Sequence, residues 1–156
     1  MEERFGFNER CVAAHCDVWL DHGMWWVMFG LWCVGVTVLS AIPGGSVDIM
    51  TFSYADKVAH FGLFFVGAFL LAAAMRRSFR WAPWVAVPVV ALIMAALGAA
   101  DEWHQLHTPG RSGGDMGDWI ANSLGGISGA VALYAWHGFV RLLVRSQPDP
   151  IAPTAD

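Results

Sequence analysis

Four acids, two histidines, a glutamine, an arginine and an asparagine crowd into one stretch, DEWHQLHTPGRSGGDMGDWIAN (Asp101 to Asn122), and long apolar runs flank it on both sides. The residue types point to acid–base and ionic chemistry. Glu102 and Asp118 are hard-oxygen donors suited to a divalent cation, with Asp101 beside them, and either Glu102 or Asp118 also suits the role of general base. Arg111 offers a planar two-pronged donor for a phosphate or carboxylate. Upstream, DKVAH (Asp56 to His60) adds a carboxylate, the compact charge of Lys57 and an imidazole. With an unperturbed pKa of about 6.5, His60 is the candidate proton shuttle. Gln105 and Asn122 complete the set with hydrogen-bonding amides. His60, Glu102 and Asp118 are therefore the candidate catalytic residues, and Asp56, Lys57, Gln105, Arg111 and Asn122 the candidate substrate-binding ones. Such parts suit metal-assisted hydrolysis or transfer on a lipid-linked phosphate. They suit binding without turnover equally well, and no motif specifies a metal or other cofactor.

The elements that must position these residues are membrane helices. The chain is 56% hydrophobic and 14% charged, with nine Trp and ten Phe, well beyond the apolar content of soluble proteins. Apolar runs cover Met24 to Ile42, Val58 to Met75, Trp81 to Ala100 and Trp119 to Val140, each near the roughly 20 residues needed to cross about 30 Å of hydrocarbon. The expectation is an all-α, polytopic bundle of four transmembrane helices, one domain over residues 1–145, with a disordered Pro-rich tail at 146–156. A short interfacial helix is expected around Val12, Cys16, Trp19 and Leu20. The apolar core of the first span exceeds the 7–15 residues usual in a signal peptide, which favours retention as a helix. Cys11, Cys16 and Cys33 outline no disulfide framework.

Helical spacing gathers the polar residues. Asp56 and His60 are four apart, on a face continuing through Phe64 and Gly67. Ala91, Ala95, Gly98, Glu102 and Gln105 form a stepped line on the third span. Asp118, Asn122, Gly125, Gly126 and Gly129 share a side of the fourth, where Gly125 and Gly129 are a small-xxx-small pair. The first span contributes no ionisable residue and is placed beside the site as packing. Arg4, Arg10, Arg76, Arg77, Arg80, Arg141 and Arg145 lie in segments that the positive-inside rule assigns to the cytoplasm. Both termini are then inside, and the loops Pro43–Lys57 and Asp101–Asp118 face out.

Plainer readings compete. Asp56 and Asp118 have the position of N-caps, Lys57 that of a side chain extending to the head groups, and the acids that of partners to Lys57 and Arg111 in a structural lock. His104 and His107 with His60 form a candidate zinc set, but without a recognised ligand spacing. A permeation path is disfavoured because the other halves of the spans are Phe, Leu, Val and Ala. Nucleic-acid binding is excluded by the lack of a basic patch.

Together, DKVAH, DEWHQ and PGRSGGDMGDWIANSLGGISGA (Pro109 to Ala130) resemble, in order, the blocks of the VanZ-like family of small bacterial integral membrane proteins, over about half the chain. The resemblance marks Asp56, Lys57, His60, Glu102, Gln105, Arg111, Asp118, Asn122 and Gly125. Arg111 and Asp118 stand one residue further apart than is usual in the family, as though a glycine had been added in RSGGD. The family takes its name from an accessory protein linked to lowered teicoplanin susceptibility. The resemblance thus implies the bacterial envelope, with membrane lipids or lipid-linked cell-wall precursors as partners, and the arginine-based orientation then puts the site on the outer side of the bacterial cytoplasmic membrane. The resemblance names no reaction. A non-enzymatic scaffold or binding protein remains the alternative.

Overall fold

The computed structural model describes residues 22–43 and 54–145. Among them are four helices and no strand: α1 (His22–Ala41), α2 (Ala55–Phe79), α3 (Pro83–Gln105) and α4 (Met116–Arg145). All four are long and apolar enough to cross a membrane, so the chain is an all-α, multi-pass membrane protein. The expected interfacial helix, the cysteines at 11 and 16, most of the loop after Pro43 and the C-terminal tail lie outside the described residues.

Helix ends follow local chemistry. α2 is longer than its apolar run because Asp56 sits in its first turn and Arg76 and Arg77 in its last, each sign matching the helix dipole. It stops at Arg80, which adopts the left-handed region (φ 55°) and donates its N–H to the Arg76 carbonyl. Pro83 then opens α3 in the first turn, where a missing N–H costs nothing. α4 continues past Val140 to Arg145, since neither Gly nor Pro interrupts the sequence there.

α2 is the centre of the bundle. Half of its span is buried, against 11% for α1 and 17% for α4. α2 and α4 run parallel and very close: a Cβ added at Gly125 would meet the Phe61 carbonyl oxygen, and one at Gly129 the Phe65 carbonyl oxygen. The small-xxx-small pair is thus a backbone-to-backbone seam. Phe64, Val90, Met94 and Leu133 are fully buried around it.

On α3 the buried line is Val90, Met94, Gly98, Glu102 and Gln105, where the sequence pattern had Ala91 and Ala95. Those two alanines are only half-buried. The difference lies on α4, where Gly126 leaves the space that the Met94 side chain fills. A large residue therefore takes the place expected of a small one.

With α1 and α3 pointing one way and α2 and α4 the other, the ends of α1 and α3 meet the beginnings of α2 and α4. Arg76, Arg77 and Arg80 lie at the opposite end of α2, roughly 30 Å from Lys57 at 1.5 Å per residue.

Candidate functional site

At the convergent end, side chains from all four helices build a buried polar cluster. Its foundation is the turn from α3 to α4. Gly113 passes so close to the Leu106 N–H and the Glu102 carbonyl that any Cβ would collide with backbone, and Gly114 takes a positive φ of 80°. These two glycines bring Asp115 back against α3, where its N–H donates to Glu102 Oε2 at 3.0 Å. The extra glycine noted in RSGGD thereby has a structural role. Asp115 Oδ1 accepts the Gly117 N–H at 2.6 Å, so Asp115 is the side-chain cap of α4. The N-cap role read for Asp118 is corrected: Asp118 sits within the first turn. Asp56 likewise lies inside the first turn of α2, after the N-cap Tyr54.

The cluster has an outer and an inner part. In the outer part, the chain's single lysine, Lys57, lies 3.0 Å from Asp115 Oδ2 and 2.9 Å from Asp118 Oδ1. Asp118 is almost wholly buried and Asp115 half-exposed. The Lys57 ammonium, aided by the Gly117 N–H, holds the Asp115 carboxyl below its ordinary range. These pairs tie α2 to the entry of α4.

In the inner part, Asn122 is fully buried, fitting against α3 because residue 98 is glycine; a Cβ there would lie 2.9 Å from the Asn122 Cβ. Asn122 Oδ1 and His60 Nδ1 are 3.1 Å apart. Because an amide oxygen only accepts, this bond puts the proton on Nδ1. Nε2 is 3.7 Å from Asp56 Oδ1, and Nδ1 is 3.9 Å from Glu102 Oε1. Glu102 Oε1 and Asn122 Nδ2 are buried without a hydrogen-bond partner. Behind them, Asp101 accepts from the Ser40 hydroxyl and from Gln105 Nε2, the latter at 3.0 Å. The Thr108 hydroxyl donates to the Ser40 carbonyl at 3.1 Å.

The structure thus gathers Asp56, Lys57, His60, Glu102, Gln105, Asp118 and Asn122 at one end of the bundle. Arg111 stands apart: its Nη2 donates to the Leu39 carbonyl at 3.5 Å, at the C-terminal end of α1, where a cation meets the negative end of a helix. His107 bonds to the Trp103 carbonyl at 2.8 Å. Among the described residues, no group of potential metal ligands joins His104 or His107 to His60, so the zinc set considered from sequence does not assemble. α1, expected to be packing alone, supplies Ser40 directly to the cluster. A polar residue closing an otherwise apolar run was the available signal, and Asp101, one step from Glu102, was its partner.

Two apolar grooves reach the cluster from the sides. One lies between α1 and α3, lined by Trp32, Val36, Phe64 and Leu97 together with Asp101. The other lies between α3 and the start of α4, lined by Ala99, Trp103, Leu106 and Trp119 together with Glu102 and Asp115.

No curated protein and no solved structure matches the chain. A family model does: VanZ/LLP1, over residues 18–137. That span holds every residue of the polar cluster and all four helices except the last turns of α4, and on this evidence the chain belongs to the VanZ/LLP1 family.

Proposed function

We propose that this family member resides in the bacterial cytoplasmic membrane with its polar cluster on the outer side, where it binds or processes the head group of an anionic lipid or lipid-linked cell-wall precursor. The orientation is supported by the arginines Arg76, Arg77 and Arg80 at the opposite end of α2. The observation that carries the ligand reading is a buried cluster with open valences, Glu102 Oε1 and Asn122 Nδ2, reached by apolar grooves. Burying such groups unpaired costs about 1–3 kcal/mol each, and a head group seated there would satisfy them while its chains lie along the grooves. Anion recognition falls less to Lys57, already engaged by two carboxylates, than to the amide of Asn122 and to Arg111, whose Nε is buried without a partner. In the processing form of the proposal, His60 and Glu102 move the proton.

The test is a comparison of lipids and wall precursors by mass spectrometry in cells with the gene, without it, and with Glu102→Gln. A defined species is expected to change on deletion and to stay changed in the variant, with a parallel shift in glycopeptide susceptibility. An unchanged inventory, with Glu102→Gln behaving as wild type, would overturn the reading. The double ion pair of Lys57 supports a second reading, in which the cluster locks α2 to α4 and has no ligand. Near-isosteric changes would then alter stability and leave the lipid inventory as it was.

A further inference from the structure

The buried acids of the cluster are short of positive charge. Asp101, Glu102 and Asp118 are 8%, 5% and 3% exposed, and Lys57 pairs with only the last of them. Asp101 has neutral partners, Ser40 and Gln105. Glu102 has a single backbone N–H on Oε2 and no hydrogen bond on Oε1, where His60 Nδ1 stands at 3.9 Å. A carboxylate buried in this way needs a counter-charge.

The spacing of the donor atoms suits one. Glu102, Asp101 and His60 each present a ligand atom within 4.8 Å of the others, and all three are buried. His60 Nδ1 is 3.1 Å from Asn122 Oδ1 and 3.9 Å from Glu102 Oε1. Around an ion with bonds of about 2.1 Å, neighbouring ligands lie about 3 Å apart and opposed ones about 4 Å. We propose that His60, Glu102 and Asp101, with the Asn122 carbonyl, form a binding site for a divalent transition-metal cation of the Zn2+ or Mn2+ kind.

The donor set argues for that class. One imidazole nitrogen among oxygen ligands favours Zn2+ or Mn2+ over Mg2+ and Ca2+, which take oxygen alone. On binding, both Nδ1 and Oδ1 turn a lone pair to the ion, and the imidazole takes the tautomer that carries its proton on Nε2, toward Asp56 Oδ1 at 3.7 Å. A second triad, Asp56, His60 and Asp118, shares the imidazole, but Asp56 is exposed and Asp118 already holds Lys57. The cation deepens the head-group proposal and rests on it only for what the ion does, which is to bridge the acidic interior to an anionic group. Its own binding requires no lipid.

The experiment titrates the purified full chain in chelator-treated nanodiscs with Mn2+, following free ion by electron paramagnetic resonance, and then displaces it with Zn2+. One Mn2+ per chain is expected, with a nitrogen coupling from one imidazole. Glu102→Gln and His60→Gln should each weaken binding by about tenfold or more, while the His104→Gln, His107→Gln double variant keeps wild-type affinity. Absence of saturable binding, absence of a nitrogen coupling, or loss of binding in the double variant would each overturn the site. Where a variant is not monodisperse by size exclusion, the wild-type stoichiometry and coupling decide. Failure here with altered lipids in cells would sink the ion alone, whereas ion binding with unchanged lipids would sink the head-group reading alone.

Discussion

α1 and α4 are both apolar helices carrying glycines at short intervals, and both pack against α2, yet they do so in opposite ways. In α4, Gly125 and Gly129 are where the α2 backbone comes to rest, at distances no side chain would permit. In α1, Gly30 and Gly35 meet nothing within 4 Å. There the contact is made by a projection: Trp32 fills the notch at Gly67 of α2, donates its indole N–H to the Leu63 carbonyl at 2.9 Å and packs edge-on to Phe64. Without a hydrophobic force between helices in lipid, association depends on fit and on hydrogen bonds. The seam of α4 supplies fit over a length, and α1 supplies it at a point. Small-residue spacing alone therefore does not identify an interface.

The widest separation between the two helices should come from one substitution made in each. Gly129→Leu forces apart backbones in contact and is expected to cost at least about 3 kcal/mol, seen as a large drop in thermal unfolding temperature in detergent. Gly30→Leu should leave that temperature unchanged, and an equal loss there would remove the contrast. Next in size is Lys57→Met, which leaves Asp118 buried without its ammonium at the head of the seam. Its melting should fall well below wild type, and Lys57→Met, Asp118→Leu together should recover part of the loss. On the α1 side, Ser40→Ala removes a donor to a buried carboxylate, worth about 1.5 to 3 kcal/mol. If α1 is held at Trp32 and Ser40, Trp32→Ala and Ser40→Ala should each raise proteolytic release of α1 while sparing the α2–α4 seam.

The smallest effect concerns pH. The Asp115 carboxyl is held below its ordinary value by Lys57, so its folded pKa lies under its unfolded one. Such a group stabilises the fold fully above the unfolded pKa, about 3.9 for an aspartate, and the contribution is lost as pH falls through the folded value. The melting difference between wild type and Asp115→Asn should therefore be present at neutral pH and shrink progressively below about pH 4. A difference that grew with acidity would contradict the ion pair.

Four spans and the convergence of their polar ends could be read from hydropathy and helical spacing, because both depend on one residue and its near neighbours. His60, Glu102 and Asn122 were legible for the same reason: each is a polar residue in line with small ones. The role of Ser40 was not, since it depends on the end of α1 meeting the end of α3, which no periodicity encodes. The position of Arg111 was not legible either. Its chemistry suits an anion, and the path of the turn carries its Nη2 to the Leu39 carbonyl while its Nε stays without a partner. Asp115 required the loop geometry of Gly113 and Gly114 before its two roles, cap and partner to Lys57, could be distinguished from those of Asp118.

The partners of Lys57 lie 58 and 61 residues downstream of it. A ribosome delivering this chain to the membrane completes α2 and α3 before either acid has been made. Until α4 arrives, the lysine must keep to the interface at the end of its helix, and His60 waits without Asn122. The cluster is consequently the last thing to form, and a nascent chain halted after α3 would hold three inserted helices and no assembled site. Arrival of the fourth helix is the moment at which the interior acquires its charge pattern.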